Sequence, residues 1–324
     1  MRLLGMRFIL VAVSLWAFLS LSACSSLAEE SEDNPNQVEA TDIIAEDSWT
    51  SSDGLSHRIV EHELDRRAQD IDSGSEGVTV RHFFIDDVPI YEERSDSASI
   101  GNLVIFIHGQ ESNKSEYLEE MCAYAAEGYV CVSFDLVGSG EWIIDEPLMS
   151  LQVITKSSEA IDTVIEYYLQ SGYAGDKFAL IGISQGGSVA YHYAAYGSRT
   201  PSALVVGSAT PDFTTLDDMT CIQSGERIEP VWSEDEYARY ASENNPINNI
   251  SAFYTLPILS GNGLDDTEVS PQGSQDLEKS ITAAGNSEAQ FNYYTGTGHE
   301  ITRSFLQKMR PYVDKHMGPN PSQD

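Results

Sequence analysis

The sequence predicts an α/β fold built on a mostly parallel central sheet. Three observations predict it. From Gly77 onward, short strand-like runs alternate with helix-length segments. Several of those runs are apolar throughout, which suits strands covered on both faces, whereas a half-exposed strand alternates. Polar residues able to do chemistry, among them Asp135, Ser184, Asp265, Asp266 and His299, follow the ends of the runs. Strand–helix alternation implies right-handed crossovers, and these bring strand C-terminal ends to one edge, where functional groups collect.

The elements follow in order. Val78 to Ile85 alternates and is rich in β-formers; Asn102 to His108 is a continuous apolar run ending in His-Gly; Tyr129 to Phe134 is another, ending in Asp135. Ala179 to Gly182, Ser202 to Ser208 and Leu256 to Ser260 repeat the pattern, and Glu288 to Tyr294 supplies a last strand. Helices are expected at Ser115 to Glu127, Leu151 to Gln170, Gly187 to Tyr196, Gln272 to Ala284 and Ile301 to His316. Residues 209–251 break the rhythm. They are polar, acidic and studded with aromatics, too long for an ordinary connection. They read as a cap over the strand ends, with Trp232, Tyr237 and Tyr240 as candidate wall residues; a surface insertion with packed aromatics is the alternative.

At 324 residues, 41% of them hydrophobic, the chain can bury a full core. Its start does not belong to that core. Arg2 and Arg7 precede an apolar run from Phe8 to Leu21 and then Leu21-Ser22-Ala23-Cys24, the layout of a secretory signal peptide over 1–23. The last four residues resemble the bacterial lipobox, which implies diacylation of Cys24 and a lipid anchor in a membrane. An uncleaved membrane helix is the alternative, for which the apolar run is short. Residues 24–76 are expected to be an acidic tether, solvated through about Asp47, and an N-terminal extension; the folded domain is expected over 77–318, with a tail at 319–324.

Charge narrows the partners. Only 18 basic residues, two of them in the leader, face 51 acidic ones, giving a net charge of −33. Just eight of the acids lie between Glu29 and Asp47, so the domain itself is acidic. Such a surface argues against nucleic acid and anionic polymers. It resembles proteins of high-salt environments, and equally a merely acidic secreted protein. Of four cysteines, Cys122 and Cys131 fall on an expected helix and the next strand, as a disulfide or as two buried thiols. No C-x-x-C or His-rich spacing suggests a metal, and no cofactor is implied.

The chemistry centres on "IGISQGGS", Ile181 to Ser188. Ser184 stands between an apolar strand and a helix, the context a nucleophile elbow requires. Gly182 and Gly186 lack the Cβ atoms that would clash in so sharp a reversal, and the helix start behind Ser184 favours a developing oxyanion. A serine hydroxyl needs a base. Among seven histidines, His299 in "YTGTGHEIT" follows the last strand and opens the final helix; His57, His62, His82, His192 and His316 have weaker positions. The imidazole needs a carboxylate, and "LSGNGLDDTEVSP" offers Asp265 and Asp266 at a strand end.

In the order Ser, Asp, His, with His108-Gly109, "FDLVGSGE" at Phe134 to Glu141, "GISQGG" and "GTGHE", the chain from Val78 to Met317 resembles the α/β-hydrolases, and among them the dienelactone-hydrolase and prolyl-oligopeptidase-like branch. The resemblance implies an α/β-hydrolase fold, helices on both sheet faces and a short cap insertion. It favours Asp266 as the acid, since Gly263 and Val269 flank it at the family's spacing, with Asp265 as alternative. It implies an oxyanion hole from the backbone N–H groups of Gln110 and Gln185, with His108 supporting its loop. The implied activity is a serine esterase on small-molecule esters, neutral or cationic in preference. The alternatives are a prolyl-oligopeptidase-like peptidase, against which the lack of a β-propeller counts, and a lipoprotein that keeps the fold only to bind or scaffold.

Overall fold

The computed structural model describes residues 42–74, 76–97, 100–318 and 320. The leader, Cys24 and the tether up to residue 41 lie outside the described residues. In chain order the strands are β1 (Ile43–Thr50), β2 (Ser56–His62), β3 (Val78–Ile85), β4 (Val88–Ser95), β5 (Gly101–Ile107), β6 (Val130–Phe134), β7 (Leu148–Met149), β8 (Ala174–Ile183), β9 (Ala203–Gly207), β10 (Cys221–Gln223), β11 (Glu226–Ile228), β12 (Ile258–Gly263) and β13 (Gln290–Tyr294). The helices are α1 (Arg66–Gly74), α2 (Leu118–Ala125), α3 (Ser150–Gln170), α4 (Gln185–Tyr196), α5 (Glu234–Glu243), α6 (Gln272–Ala283) and α7 (Arg303–Met317).

Ten of these strands form one sheet in the order β1-β2-β3-β4-β6-β5-β8-β9-β12-β13. From β6 to β13 every pairing is parallel, and from β1 to β6 every pairing is antiparallel. The continuous apolar runs are the reason the parallel half can be central. All seven residues of β5 are buried: Leu103, Ile105 and Ile107 join one core cluster, Val104 and Phe106 the other. The first cluster is roofed by α3, α4, α5 and α6, the second by α1, α2 and α7, so helices cover both faces. Each large apolar side chain so buried contributes about 1.5–3 kcal/mol relative to exposure.

The sheet begins earlier than the boundary expected at residue 77. β1 pairs antiparallel with β2 from Ile43↔His62 to Thr50↔Ser56, and β2 pairs with β3. Residues 43–47, expected in the solvated tether, are therefore strand. The two descriptions share a physical origin: β1 is an edge strand whose side chains are nearly all exposed, so its composition is that of a solvated segment while its backbone is hydrogen-bonded. Trp49 is its inward anchor, stacked on His57 at 4.7 Å and donating its Nε1–H to Gln170 at 3.1 Å. Cys122, Cys131 and Cys221 are buried thiols, not joined in a disulfide.

The insertion at 209–251 carries a small second sheet, in which β10 pairs with both β11 and β7, followed by α5. Ser233 caps α5 by accepting from Glu236 N, and Glu236 returns a bond to Ser233 N at 2.8 Å, a reciprocal box that fixes the helix start. Tyr237 is 5% exposed, Tyr240 is hydrogen-bonded through its hydroxyl to Thr155 of α3 at 2.8 Å, and Trp232 packs on Tyr240. All three aromatics pack with the core cluster on the α3 face, so they hold the insertion down.

Candidate active site

The site is assembled at the C-terminal ends of β5, β8, β12 and β13. At the end of β8 the chain reverses through Ser184, whose φ of 53° and ψ of −123° lie outside the regions open to ordinary side chains. That conformation is held by Ser184 N–H donating to Gly207 O at 2.8 Å and by α4 starting immediately behind it. Gly186 is where the reversal is tightest. A Cβ there would stand 2.1 Å from Ile107 O and 2.4 Å from His108 O, both backbone atoms of the neighbouring strand end. Backbone cannot yield as a side-chain tip can. Gly186→Ala is therefore expected to cost roughly 3 kcal/mol or more in urea unfolding, beyond the usual range for overpacking; a loss below about 1 kcal/mol would contradict this packing.

Asp266 and His299 meet Ser184 from beyond the ends of β12 and β13. Ser184 Oγ lies 2.8 Å from His299 Nε2, and His299 Nδ1 lies 2.8 Å from Asp266 Oδ2. With Nδ1–H donating to the carboxylate, Nε2 is free to accept the serine proton. The other carboxylate oxygen, Oδ1, accepts from Glu268 N and Val269 N, both at 2.9 Å, which locks the rotamer. Burial opposes ionisation of Asp266, but the His299 bond and these two amides hold its pKa below the ordinary range. Burial likewise disfavours the imidazolium of His299, yet the Asp266 carboxylate outweighs it and raises the histidine's pKa.

Asp265 takes a different place. It is exposed, and its backbone N–H donates to Thr297 O at 3.0 Å, tying the acid's loop to the histidine's. Of the two carboxylates, Asp266 is the one that touches the imidazole.

Gln185 is the first residue of α4, and Gly109-Gln110 bends past the serine: a Cβ on Gly109 would lie 3.5 Å from Ser184 Cβ. The loop that carries Gln110 therefore passes beside Ser184, and Gln185 follows it directly in the chain. His108 is buried, its Nε2 accepting from Leu136 N at 3.0 Å and its Nδ1–H donating to Gly109 O at 2.7 Å. Burial lowers its pKa, consistent with a neutral ring that fastens the loop.

Two features here were not read from the sequence. Gln110 Nε2 is buried without a hydrogen-bond partner among the described residues, a cost of about 1–3 kcal/mol that a bound acceptor would remove. Glu111, held at φ 60°, pairs with Arg227 of β11 at 2.5 Å, so the cap insertion reaches the loop that carries Gln110. Neither carries a sequence signal, because both depend on side-chain placement between segments distant in the chain. Among the described residues no group of three or more His, Cys, Asp or Glu could hold a metal ion.

Residues 116–318 match the model of the prolyl oligopeptidase family, which is more than half of the chain. The chain belongs to the prolyl oligopeptidase family. Membership makes it a serine hydrolase of α/β-hydrolase fold. Similar solved structures include an acetyl xylan esterase from Paenibacillus sp. R4, at 15% identity and a TM-score of 0.59, with 74% of this chain and 85% of that one covered. An esterase from Pyrococcus furiosus aligns at 14% identity and a TM-score of 0.51, with 86% and 93% covered. A puromycin-hydrolysing peptidase from Mycobacterium tuberculosis aligns at 16% identity and a TM-score of 0.57, with 84% of this chain but 46% of the peptidase covered. No curated protein sequence matches the chain.

Proposed function

We propose that the protein is a carboxylesterase that works through an acyl-enzyme on Ser184. The observation that carries this reading is the unbroken chain from Asp266 through His299 to Ser184, both links 2.8 Å long. In the first half-reaction Ser184 Oγ attacks the ester carbonyl as His299 Nε2 takes its proton, and Asp266 stabilises the resulting imidazolium. The carbonyl oxygen gains a negative charge, which the amides of Gln110 and Gln185 receive. Collapse expels the alkoxide, which takes the proton from His299. Water then repeats the sequence on the acyl-enzyme, releasing the acid and restoring Ser184.

Esters are the less demanding substrate, since an alkoxide is a better leaving group than an amide anion, although the His299 proton would serve either leaving group. The solved esterases named above are also covered nearly end to end by this chain, the peptidase by less than half. The acidic surface favours neutral or cationic esters over anionic ones. Family membership favours a second reading, a serine peptidase using the same groups. The leader and Leu21-Ser22-Ala23-Cys24 support a position outside the cytoplasm, anchored by a lipid on Cys24.

A panel of p-nitrophenyl esters of two to ten carbons, run beside peptide anilides, tests the proposal. Turnover of the short and medium esters is expected, at least about tenfold faster than any anilide. Turnover of anilides alone would establish the peptidase.

A further inference from the structure

Beneath the loop that carries Gln110 lies a buried charge cluster outside the serine–histidine–aspartate chain. Lys114 is 2% exposed, yet its Nζ donates to Asp135 Oδ2 at 3.2 Å and to Glu141 Oε2. Asp135 is fully buried and bonds backbone on both sides: Oδ1 accepts from Lys114 N at 2.7 Å, and Oδ2 accepts from Glu141 N at 2.8 Å. His82, on β3, donates to Glu141 at 2.8 Å. Burial works against Glu141's charge, but the His82 bond and the Lys114 ammonium bring its pKa down to about 2.

This placement is specific to two segments. The stretch from His108 to Lys114 leaves β5, and the stretch from Ser133 to Glu141 leaves β6. They are fastened at both ends of the first stretch, by Leu136 N on His108 Nε2 at 3.0 Å and by Asp135 on Lys114, with Ser133 Oγ donating to Lys114 O at 2.6 Å. Gln110 sits between the two fastenings. Gly140 completes the arrangement: at φ 54°, a Cβ there would fall 2.3 Å from the Asp135 carboxylate, in the space that the carboxylate occupies. The motif Asp135-x-x-Gly138-x-Gly140 is thus a socket for one buried acid.

Replacing a buried ion cluster by apolar side chains is often neutral or stabilising, so stability alone is a poor account of four charged or polar groups held here. We propose that Asp135, Lys114 and Glu141 are positioning residues that set the Gln110 backbone N–H at the distance the oxyanion needs. The proposal rests on the acyl-transfer reading above. A donor misplaced by an ångström loses most of its transition-state stabilisation while substrate binding, made elsewhere, is retained.

The test uses the full-length protein, the best ester from the panel and a trifluoromethyl ketone, whose adduct with Ser184 places an oxyanion in the same site. Asp135→Asn keeps the side-chain volume but must turn an amide toward at least one of its donors. It is expected to lower kcat by about 10²-fold with KM within about twofold, and to weaken the ketone by the same factor as kcat. Glu141→Gln leaves Asp135's backbone bonds in place and is expected to show the same pattern at about tenfold. If Asp135→Asn does not fold, Glu141→Gln decides. A folded variant with wild-type kcat, or one that loses kcat while binding the ketone as tightly as the wild type, overturns the proposal. Failure of the acyl-transfer reading looks different: the wild-type protein itself would then show no Ser184-dependent labelling by a fluorophosphonate.

Discussion

Ser184→Ala is expected to lower kcat on any ester the protein turns over by roughly 10⁶-fold, the scale at which serine hydrolases lose the nucleophile. The substitution removes one oxygen and little else. Alanine keeps the Cβ, the bond from residue 184 N to Gly207 O does not involve the side chain, and Gly186 continues to lie against Ile107 and His108. Folding should therefore be unchanged, and relief of nothing but a hydroxyl leaves the backbone strain in place. Residual turnover comes from the oxyanion donors and from His299 acting on water. Steady-state kinetics with intact-protein mass after fluorophosphonate treatment check both parts: no adduct on the variant, one on the wild type. Activity within about tenfold of wild type would remove Ser184 from the chemistry.

The second large effect separates two neighbouring acids. Asp266→Asn is expected to lower kcat by about 10⁴-fold, while Asp265→Asn stays near wild type. The asymmetry follows from donors and acceptors. At 266 the amide oxygen would take over the bonds from Glu268 N and Val269 N, which turns the NH₂ toward His299 Nδ1. Two donors cannot share that contact, so the imidazole moves its proton to Nε2, and Nε2–H cannot accept from Ser184. Asp265 faces solvent, and what it gives the site is a backbone bond that asparagine retains.

The same pair has a pH signature. The working base is neutral His299, so kcat/KM falls as pH drops through its pKa, which Asp266 raises above the free-histidine value of about 6.5. Removing the carboxylate leaves burial opposed only by the weaker attraction of Glu268, and the acid limb of the profile moves to lower pH. Equal losses in the two variants, or an acid limb that does not move in Asp266→Asn, would place the carboxylate's work elsewhere.

Much of this molecule was legible in its sequence, and the reasons differ by element. β3 was read at its full extent, Val78–Ile85, because its residues are β-formers that alternate, and β5, β6 and β9 because both of their faces are buried in apolar side chains. β4 was not read. It contains Pro89 and the run Glu92-Glu93-Arg94, which resembles a loop, yet both glutamates are fully buried, with Glu92 beside Arg81 and Arg94. A strand whose buried positions include a carboxylate paired with Arg81 of β3 and with Arg94 of the same strand has no hydrophobic period to detect. β1 escaped for the opposite reason, since an exposed edge strand needs no such period, and β2 buries only Ile59 and Val60, too few to make one.

Within the site, Ser184 and His299 follow from strand–turn order alone. Choosing Asp266 over Asp265 needed a family spacing, because two adjacent carboxylates on a strand end differ only in which one the turn rotates inward. The Lys114 cluster was invisible. One of its members lies in "ESNKSEY", where a lysine normally points to water, and only the fold brings Asp135 and Glu141 around it.

The order of the sheet also fixes how the domain hangs from whatever precedes it. The chain enters at β1, the outermost strand, and six inter-strand steps separate β1 from β8, which ends in Ser184. At about 4.8 Å per step that is roughly 30 Å of lateral offset, less the shortening by twist. Whatever precedes β1 thus joins the domain at one rim of the sheet, well away from the strand end that carries the nucleophile. A partner fused ahead of β1 is therefore expected to leave ester turnover unchanged, because it attaches to the edge opposite the half of the sheet that holds Ser184, Asp266 and His299.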